Sequence, residues 1–156
     1  MHLKYLLKER SDKSTDTLHL YEGVDNMKLV CGKESLAFVE FKDYLKTRNL
    51  EEMRRHIASL AEERNICAVC ISHLYKNENK KKPIWHLYDC SKGQLCLDQE
   101  NLNSKICRHS PDETYLEAPN IATIRQECAK EANNNVHICG LCIARLYKNR
   151  LKPKES

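Results

Sequence analysis

The clearest pattern of apolar and polar positions lies in the stretch "NLEEMRRHIASL", in the first half of the chain. Apolar residues follow one another there in steps of three and four, at Leu50, Met53, Ile57 and Leu60. Such steps place apolar side chains on one face of a helix. Asn49 precedes the first of them and is a favourable N-cap residue, so the pattern predicts an amphipathic helix that begins after Asn49.

The same pattern returns about 70 residues later in the chain. Asn120 precedes Ile121, Ile124 and Cys128, which again follow helical spacing. We therefore predict a second amphipathic helix there. The stretch "ESLAFVEFKDYL", ahead of the first helix, fits either a helix or a strand, and its apolar spacing favours a helix.

Short strands are predicted in two similar stretches, "HLYEGVDNMKLVC" (19–31) and "HLYDCSKGQLC" (86–96). In each one, apolar residues flank a polar turn in which Gly23 or Gly93 supplies the bend. Each stretch is followed some forty residues on by a Cys-x-x-Cys and by "ISHLYKN" or "IARLYKN". We expect these last segments to form a short helix or strand.

These stretches belong to one internal repeat, because "RNICAVCISHLYKN" (64–77) is also matched by "VHICGLCIARLYKN" (136–149). We interpret the fold class as α+β, with two tandem duplicated small modules. Each module is expected to have a hairpin-like front, a central amphipathic helix and a C-terminal Cys-x-x-Cys. The predicted organisation is an N-terminal extension (1–18), module 1 (19–77), a basic linker (78–85), module 2 (86–149) and a basic tail (150–156).

Residues of metal-ligating type hold equivalent places in the two copies. They are His19, Cys31, Cys67 and Cys70 in the first copy and His86, Cys96, Cys139 and Cys142 in the second. Three thiolates and one imidazole are a common donor set for tetrahedral structural zinc, and a two-residue gap lets both sulfurs of a Cys-x-x-Cys reach one ion. The sequence therefore predicts two zinc ions per chain, one in each module.

Other assignments of these side chains remain open. The histidines are the least secure ligands, and His56, Cys90, Cys107 and His109 are alternatives. Unliganded cysteines are commonly buried as small apolar residues, and Cys128 is assigned to the core because it follows the apolar spacing of its helix. A redox role for a Cys-x-x-Cys requires a helix N-terminus and a βαβ setting, which the repeat does not clearly offer.

The cysteine count and the N-terminal stretch bear on the compartment. The chain has nine cysteines, an odd number, and its N-terminal stretch lacks the long apolar core of a signal peptide. This combination favours thiolates and metal over disulfides and predicts a cytoplasmic or nuclear protein, or one present in both compartments. No apolar run has the roughly eighteen residues of a membrane span, so we expect no membrane partner.

Signatures of catalysis are missing from the sequence. It contains no His-Glu-x-x-His and no deaminase signature, and its four glycines cannot readily build a phosphate-binding loop. Four protein ligands per ion leave no open coordination position for a reaction. A RING-type ubiquitin ligase has a Cys-x-x-Cys at its start as well as at its end. Each copy in this chain has a single Cys-x-x-Cys, at its end, so the sequence does not favour a RING. We expect no enzymatic activity and no small-molecule substrate.

A protein partner is the first functional expectation, because zinc makes small rigid modules that present a helix face or a groove. Trp85 lies at the junction between the modules and is expected to pack them together. The expected class is a non-catalytic zinc-binding regulator or adaptor, of the small accessory type common in viruses.

Nucleic-acid binding is the alternative, because basic residues cluster around "LYKN" in both copies. They are Lys76, Lys80, Lys81 and Lys82 after the first module and Arg145, Lys148, Arg150 and Lys152 after the second. Clustered basic residues contact phosphates, and Tyr75 and Tyr147 are expected to stack on bases. Arg54 and Arg125 are placed on the polar faces of the helices. The net charge of +4 is mild, so a solvated linker and tail explain the same residues.

The plan of two duplicated zinc modules, with Cys-x-x-Cys pairs about 70 residues apart, resembles the two-module zinc proteins of papillomaviruses. Modules of that family carry two Cys-x-x-Cys pairs each. In this chain "CGKE" and "CLDQ" stand where the first pair would lie. The resemblance therefore transfers no residues, and it implies only that such a plan suits a non-enzymatic adaptor.

Overall fold

A computed structural model describes residues 4–11, 16–32, 39–61, 64–76, 83–91, 94–99, 106–108 and 118–147. Within these residues the chain is a mixed α+β protein with four helices and two sheets. The strands are β1 (Lys4–Ser11), β2 (Asp16–Gly23), β3 (Lys28–Leu29), β4 (Val39–Thr47), β5 (Asn65–Ile66), β6 (Ile84–Ser91), β7 (Gln94–Gln99) and β8 (His137–Ile138). The helices are α1 (Leu50–Leu60), α2 (Ala68–Leu74), α3 (Ile121–Asn133) and α4 (Gly140–Leu146), with a 3-10 turn at Ile106–Arg108.

The first sheet is ordered β3-β2-β1-β4 with antiparallel neighbours, and β5 pairs with β2 in parallel. Leu7 of β1 lies opposite Leu20 of β2, and both side chains are buried. Glu9 of β1 forms an ion pair with Arg64, next to β5. The segment 1–18, expected to be an extension, thus supplies β1 and the first residues of β2 to this sheet.

The stretch "ESLAFVEFKDYL", for which a helix was favoured, contains most of strand β4. Residues 33–38 lie outside the described part of the chain, and the rest of the stretch pairs antiparallel with β1, with Leu7 opposite Leu45. The expectation of a helix was wrong because β1 offers this segment backbone partners along most of its length, with register shifts on either side of Lys8. Such a partner is not visible in the local spacing of apolar residues.

The second sheet is ordered β7-β6-β8. β6 and β7 form the predicted hairpin, and Leu87 lies opposite Leu97 in its register. β8 pairs in parallel with β6, as β5 does with β2 in the first sheet. Strands β2 and β3, and strands β6 and β7, form antiparallel pairs in the two stretches where short strands were predicted. Gly93, predicted to supply the bend of the second stretch, lies outside the described residues.

Gly23 ends β2 at the turn of the first hairpin. A Cβ atom at this position would collide with the backbone carbonyl of Asn26. The turn therefore requires glycine for lack of space.

Helix α1 begins as predicted, because the Asn49 side chain accepts hydrogen bonds from the backbone N–H groups of Glu51 (2.9 Å) and Glu52 (3.2 Å). Asn120 precedes α3, but its side chain makes no cap. Its amide instead donates to the Leu95 carbonyl (2.7 Å) and accepts from the Leu95 N–H (2.9 Å), which fixes α3 to β7.

Helices α1 and α3 pack against each other, and so do α2 and α4. Met53, Ile57, Ile124 and Cys128 are buried along α1 and α3, which confirms the predicted apolar stripes and the core position of Cys128. No helix among the described residues is both long and apolar enough to cross a membrane.

Two arginines join the long helices to the short ones in the same way. Arg54 donates from Nε to the Leu74 carbonyl at the end of α2 (3.2 Å), and Arg125 donates from Nη2 to the Leu146 carbonyl at the end of α4 (3.0 Å). A cation near the C-terminus of a helix complements the helix dipole. Arg125 is 3% exposed and Arg54 is half-buried, so Arg125 does not lie on a polar face as expected, and Arg54 lies there only in part.

Candidate metal centres

The first candidate metal centre brings together His19, Cys31, Cys67 and Cys70, whose ligand atoms all lie within 4.8 Å of one another. The His19 Nδ1 atom lies 3.5 Å from the Cys31 sulfur and 3.8 Å from the Cys70 sulfur. Three of these side chains are buried and Cys31 is half-buried. These are the four residues that the sequence assigned to module 1.

The register of the first hairpin explains how His19 and Cys31 meet. Tyr21 lies opposite Leu29, and the Val30 N–H donates to the Leu20 carbonyl (3.0 Å). The next opposed positions in this register are 19 and 31. The spacing of the histidine and the cysteine therefore matches the geometry of the hairpin.

The Cys-x-x-Cys reaches His19 through the parallel pairing of β5 with β2. The Cys67 N–H donates to the Leu18 carbonyl (3.0 Å), which places Cys67 beside the strand that carries His19. Cys67 also forms the N-cap of α2, and the first helical turn brings Cys70 back toward the same point. In the second half, the Cys139 N–H donates equivalently to the Trp85 carbonyl (2.9 Å).

The second candidate centre consists of His86, Cys107, Cys139 and Cys142, again within 4.8 Å of one another. The His86 Nδ1 atom lies 3.5 Å from the Cys107 sulfur and 3.7 Å from the Cys142 sulfur. The Leu87 N–H points to the Cys142 sulfur at 3.5 Å. Only Cys142 is buried, so this centre is more exposed than the first.

Cys96, the expected fourth member of the second centre, is replaced there by Cys107. In the β6–β7 register, the residue opposite His86 is Asp98, and Cys96 lies opposite Tyr88. The spacing from His86 to Cys96 is two residues shorter than the spacing from His19 to Cys31. Cys96 therefore does not lie opposite its histidine, as Cys31 does in the register of the first hairpin. Cys107, on the 3-10 turn, takes that place in the cluster.

A sequence signal for this difference was present. The first copy separates its histidine from its cysteine by eleven residues and the second by nine, and a shift of two residues keeps the face of a strand but changes the partner. Cys107 was among the open alternatives, together with His56, Cys90 and His109. His56 and Cys90 belong to neither cluster, and His109 lies outside the described residues.

Cys90 and Cys96 form a disulfide bond across the β6–β7 hairpin, with a Cα–Cα distance of 5.7 Å. The other seven cysteines are not disulfide-bonded. The preference for thiols over disulfides thus describes most of the cysteines but not this pair.

Hydrogen bonds between the cysteines shift their pKa values in the first centre. The Cys70 thiol donates to Cys67, and with a smaller contribution from His19 it lowers the pKa of Cys67 to about 3 despite burial. The pKa of Cys70 is raised by its hydrogen bonds to Cys31 and Cys67 and by burial. For His19, burial lowers the pKa, but the contacts with Cys67 and Cys31 outweigh it and the net shift is upward. Within the Cys-x-x-Cys of the first centre, the thiolate is therefore favoured at Cys67 and the thiol at Cys70, and a bound cation would favour ionisation of Cys70 as well.

The second centre has the same electrostatic pattern in weaker form. A hydrogen bond from Cys142 lowers the pKa of Cys139 to about 5, against the opposing effect of burial. The pKa of Cys142 is raised, first by its hydrogen bond to Cys139 and then by burial.

The donor sets and their dimensions fit a tetrahedral ion. With Zn–S distances of about 2.3 Å and Zn–N distances of about 2.0–2.1 Å, tetrahedral donors stand roughly 3.5–3.8 Å apart. The four nitrogen–sulfur distances given above, from 3.5 to 3.8 Å, agree with this geometry. Two Cys3His clusters in this chain are thus compatible with binding two metal ions.

Both Cys-x-x-Cys pairs lie at helix N-termini, because Cys67 and Cys139 are the N-caps of α2 and α4. The sequence did not clearly offer this setting. Each pair also faces a histidine and a third cysteine, which a dithiol redox pair does not need and a metal ion does.

The tyrosines expected to stack on bases are not available for this role. Tyr75 and Tyr147 are 3% and 2% exposed, and their rings lie under the guanidinium groups of Arg54 and Arg125 at 5.6 Å and 5.0 Å. Of the basic residues predicted to contact phosphates, Lys76 is exposed and Arg145 is half-buried. Lys80, Lys81, Lys82, Lys148, Arg150 and Lys152 lie outside the described residues.

The fold and its two clusters define the chain as a mixed α+β protein with two candidate Cys3His metal centres. Comparisons of the chain with protein-family models, with curated proteins and with solved structures found no match.

Proposed function

We propose that this chain is a non-catalytic zinc-binding regulator or adaptor that carries two structural zinc ions and acts by binding another protein. The two Cys3His clusters are the observation that carries the proposal. Zinc is favoured over other metals because three thiolates with one imidazole are a soft, borderline donor set of the kind that selects it.

The ions have a structural role in this proposal because their ligands come from distant parts of the chain. The first centre joins the β2–β3 hairpin to the start of α2, and the second joins β6, the 3-10 turn and the start of α4. Binding an ion across such long loops stabilises the folded state, because the unfolded chain has no preformed site. Four protein ligands also leave no position for a substrate.

We further propose that the two halves arose by duplication of one module. Three matched relationships support this: the parallel strand that brings each Cys-x-x-Cys to its histidine strand, the N-cap position of the first cysteine, and the arginine that binds the end of the short helix. Helix pairs α1–α3 and α2–α4 then form the contact between the modules.

Two exposed apolar side chains support a protein partner. Val69 and Leu141 occupy the same position within the two Cys-x-x-Cys turns and are 46% and 65% exposed. Aliphatic side chains held on a rigid metal-bound turn suit contact with an apolar surface of another protein. A cytoplasmic or nuclear location belongs to the same proposal, because thiolate ligands persist in reducing compartments.

Metal analysis of the purified full-length chain tests the zinc assignment. We expect two zinc ions per chain and cooperative unfolding on chelation. Cys67→Ser should lose one ion and the order of the first half, whereas the control Cys128→Ala removes a buried thiol outside both clusters and should keep both ions. Less than one zinc per chain in freshly purified protein would end the assignment.

A comparative pull-down tests the adaptor role. A Val69→Asp/Leu141→Asp double variant should lose partners that the parent chain retains, while a Lys28→Asp/Lys76→Asp control, which changes exposed residues outside the turns, should keep them. Partners that bind the parent and both variants equally would argue against the two turns as the binding surface.

Nucleic-acid binding remains the second candidate, and the exposed position of Lys76 is the observation in its favour. The burial of Tyr75 and Tyr147 removes the stacking contribution and leaves phosphate contacts alone. Titration with short RNA and DNA at two salt concentrations decides it. Binding that weakens steeply with salt supports this function, and absence of binding at low salt excludes it.

A further inference from the structure

The β6–β7 hairpin carries both a ligand of the second candidate centre and the disulfide of the chain. His86 lies on β6, and Cys90 and Cys96 are joined a few residues further toward the turn. Cys90 is exposed and Cys96 is half-buried. Cys90 is therefore the more accessible of the two bonded residues.

Cys96 is a diagonal neighbour of His86 on the same face of this hairpin. His86 lies opposite Asp98 and Tyr88 lies opposite Cys96. Because side chains alternate between faces along a strand, all four of these residues lie on one face. The ring of His86 indeed contacts the ring of Tyr88 edge-on, at 6.3 Å between centroids. Diagonal positions of antiparallel strands are roughly 7–8 Å apart. Cys96 is therefore displaced by one step of two residues from the position opposite His86, on the face that His86 shares.

Cys107, the sulfur that completes the second centre, does not belong to the hairpin that carries His86 and Cys96. It belongs to a three-residue 3-10 turn and is half-buried, in contrast to the buried Cys142. The first centre has no such choice of sulfurs, because Cys31 occupies the hairpin position opposite His19 and Gly23 stands where the second copy has Cys90.

We propose that the second centre has two alternative third sulfurs, selected by the redox state of the hairpin. When Cys90 and Cys96 are disulfide-bonded, Cys107 completes the centre; when they are reduced, the Cys96 thiolate competes with Cys107 for the same coordination position. This inference rests on the proposed function, since it requires a metal ion at the second centre.

The redox step consumes one equivalent of a cellular or added dithiol. A thiolate of the reductant attacks the exposed Cys90 sulfur, the Cys90–Cys96 bond breaks, and the Cys96 sulfur leaves as a thiolate. The second thiol of the reductant then displaces Cys90 as its thiolate, which takes up a proton, and the reductant becomes a disulfide. When the Cys96 thiolate binds the ion, the displaced Cys107 thiolate takes up a proton, and the charge of the centre is unchanged.

Cobalt(II) binding to the full-length chain tests this exchange, with thiolate-to-cobalt absorption as the signal. Each protein is titrated in its disulfide form and after reduction by a dithiol that is then removed under anaerobic conditions. Cys107→Ser should bind one ion in the disulfide form and two after reduction. The variant Cys90→Ser/Cys107→Ser cannot form the Cys90–Cys96 disulfide and should bind two ions in both conditions. The variant Cys96→Ser/Cys107→Ser lacks both alternative sulfurs and should bind one ion in both conditions.

The outcomes separate the exchange from the metal assignment. If the parent chain binds two ions and reduced Cys107→Ser binds only one, the exchange is excluded and the metal centres stand. If the parent chain binds fewer than two ions in its disulfide form, the proposed function fails first.

If Cys107→Ser does not fold, alkylation of the zinc-loaded parent chain tests whether Cys96 replaces Cys107 at the second centre. Exchange predicts that Cys107 is protected in the disulfide form and becomes labelled after reduction, with Cys96 partly protected. Full protection of Cys107 together with full labelling of Cys96 in the reduced chain would overturn the proposal.

Discussion

Arg125 donates a hydrogen bond from Nη2 to the carbonyl oxygen of Leu146, at 3.0 Å, from a position that is 3% exposed. Its guanidinium group also lies 5.0 Å from the centre of the Tyr147 ring. The same side chain thus binds the last carbonyl group of α4 and packs over a buried aromatic ring.

Replacing Arg125 by alanine should lower the free energy of unfolding by about 2–4 kcal/mol, because the Leu146 carbonyl and the Tyr147 ring lose their partner inside the protein. Denaturant unfolding measures the change. Arg55→Ala on α1 is the control, since Arg55 is exposed, and it should change stability by less than about 0.5 kcal/mol. Equal effects of the two substitutions would contradict the buried role of Arg125.

The two asparagines ahead of the long helices should respond oppositely to aspartate. Among the described residues, the Asn49 side chain acts only as an acceptor for α1, so Asn49→Asp keeps the cap and should be neutral or slightly stabilising. Asn120 also donates to the Leu95 carbonyl, which aspartate cannot do, so Asn120→Asp should cost about 1–3 kcal/mol. Thermal unfolding of both variants gives the comparison, and a loss of stability at Asn49 equal to that at Asn120 would refute it.

Leu7→Ala should destabilise the first half of the chain by about 2–5 kcal/mol, because Leu7 is fully buried in the centre of the first sheet. The loss should also make the first metal centre release its ion at lower denaturant, since β1 supports the strand that carries His19. Lys28→Ala, at an exposed position of the same sheet, serves as the control. Wild-type stability of Leu7→Ala would mean that β1 is a dispensable extension after all.

Acidification should empty the second centre before the first. A thiol whose folded-state pKa is lowered contributes stability that is complete above its ordinary pKa of 9.0 and is lost as the pH falls through the folded value. That value is about 5 for Cys139 and about 3 for Cys67. Because metal ligands must be deprotonated, zinc release followed with a chromophoric indicator should occur in two steps. The half-exposed second centre should release its ion at the higher pH, and Cys139→Ser should abolish that step alone.

Local patterns predicted the features that depend on neighbouring residues in the sequence. The apolar spacing of Met53 and Ile57, the N-cap at Asn49 and the core position of Cys128 all follow from the period of a helix. The grouping of His19 with Cys31 was predicted from the repeat, and the register of the short hairpin between them explains why the two side chains meet.

Features that depend on distant pairing could not be predicted in this way. The strand character of β4 and the structural role of residues 4–11 both arise from the β1–β4 pairing, which joins segments some thirty residues apart. Cys107 enters the second cluster from a 3-10 turn that has no counterpart among the described residues of the first half. The repeat favoured Cys96 by similarity, whereas the register of the second hairpin placed it beside Tyr88.

The two clusters take their side chains from separate halves of the chain, which has a consequence for protein synthesis. The four side chains of the first cluster are complete once Cys70 has left the ribosome, whereas the second cluster must wait for Cys142. At roughly 5–20 residues per second, this interval lasts on the order of 4–14 seconds. The side chains of the first cluster, and the surfaces of α1 and α2 that contact α3 and α4, are therefore available while the carboxy-terminal half is still being translated.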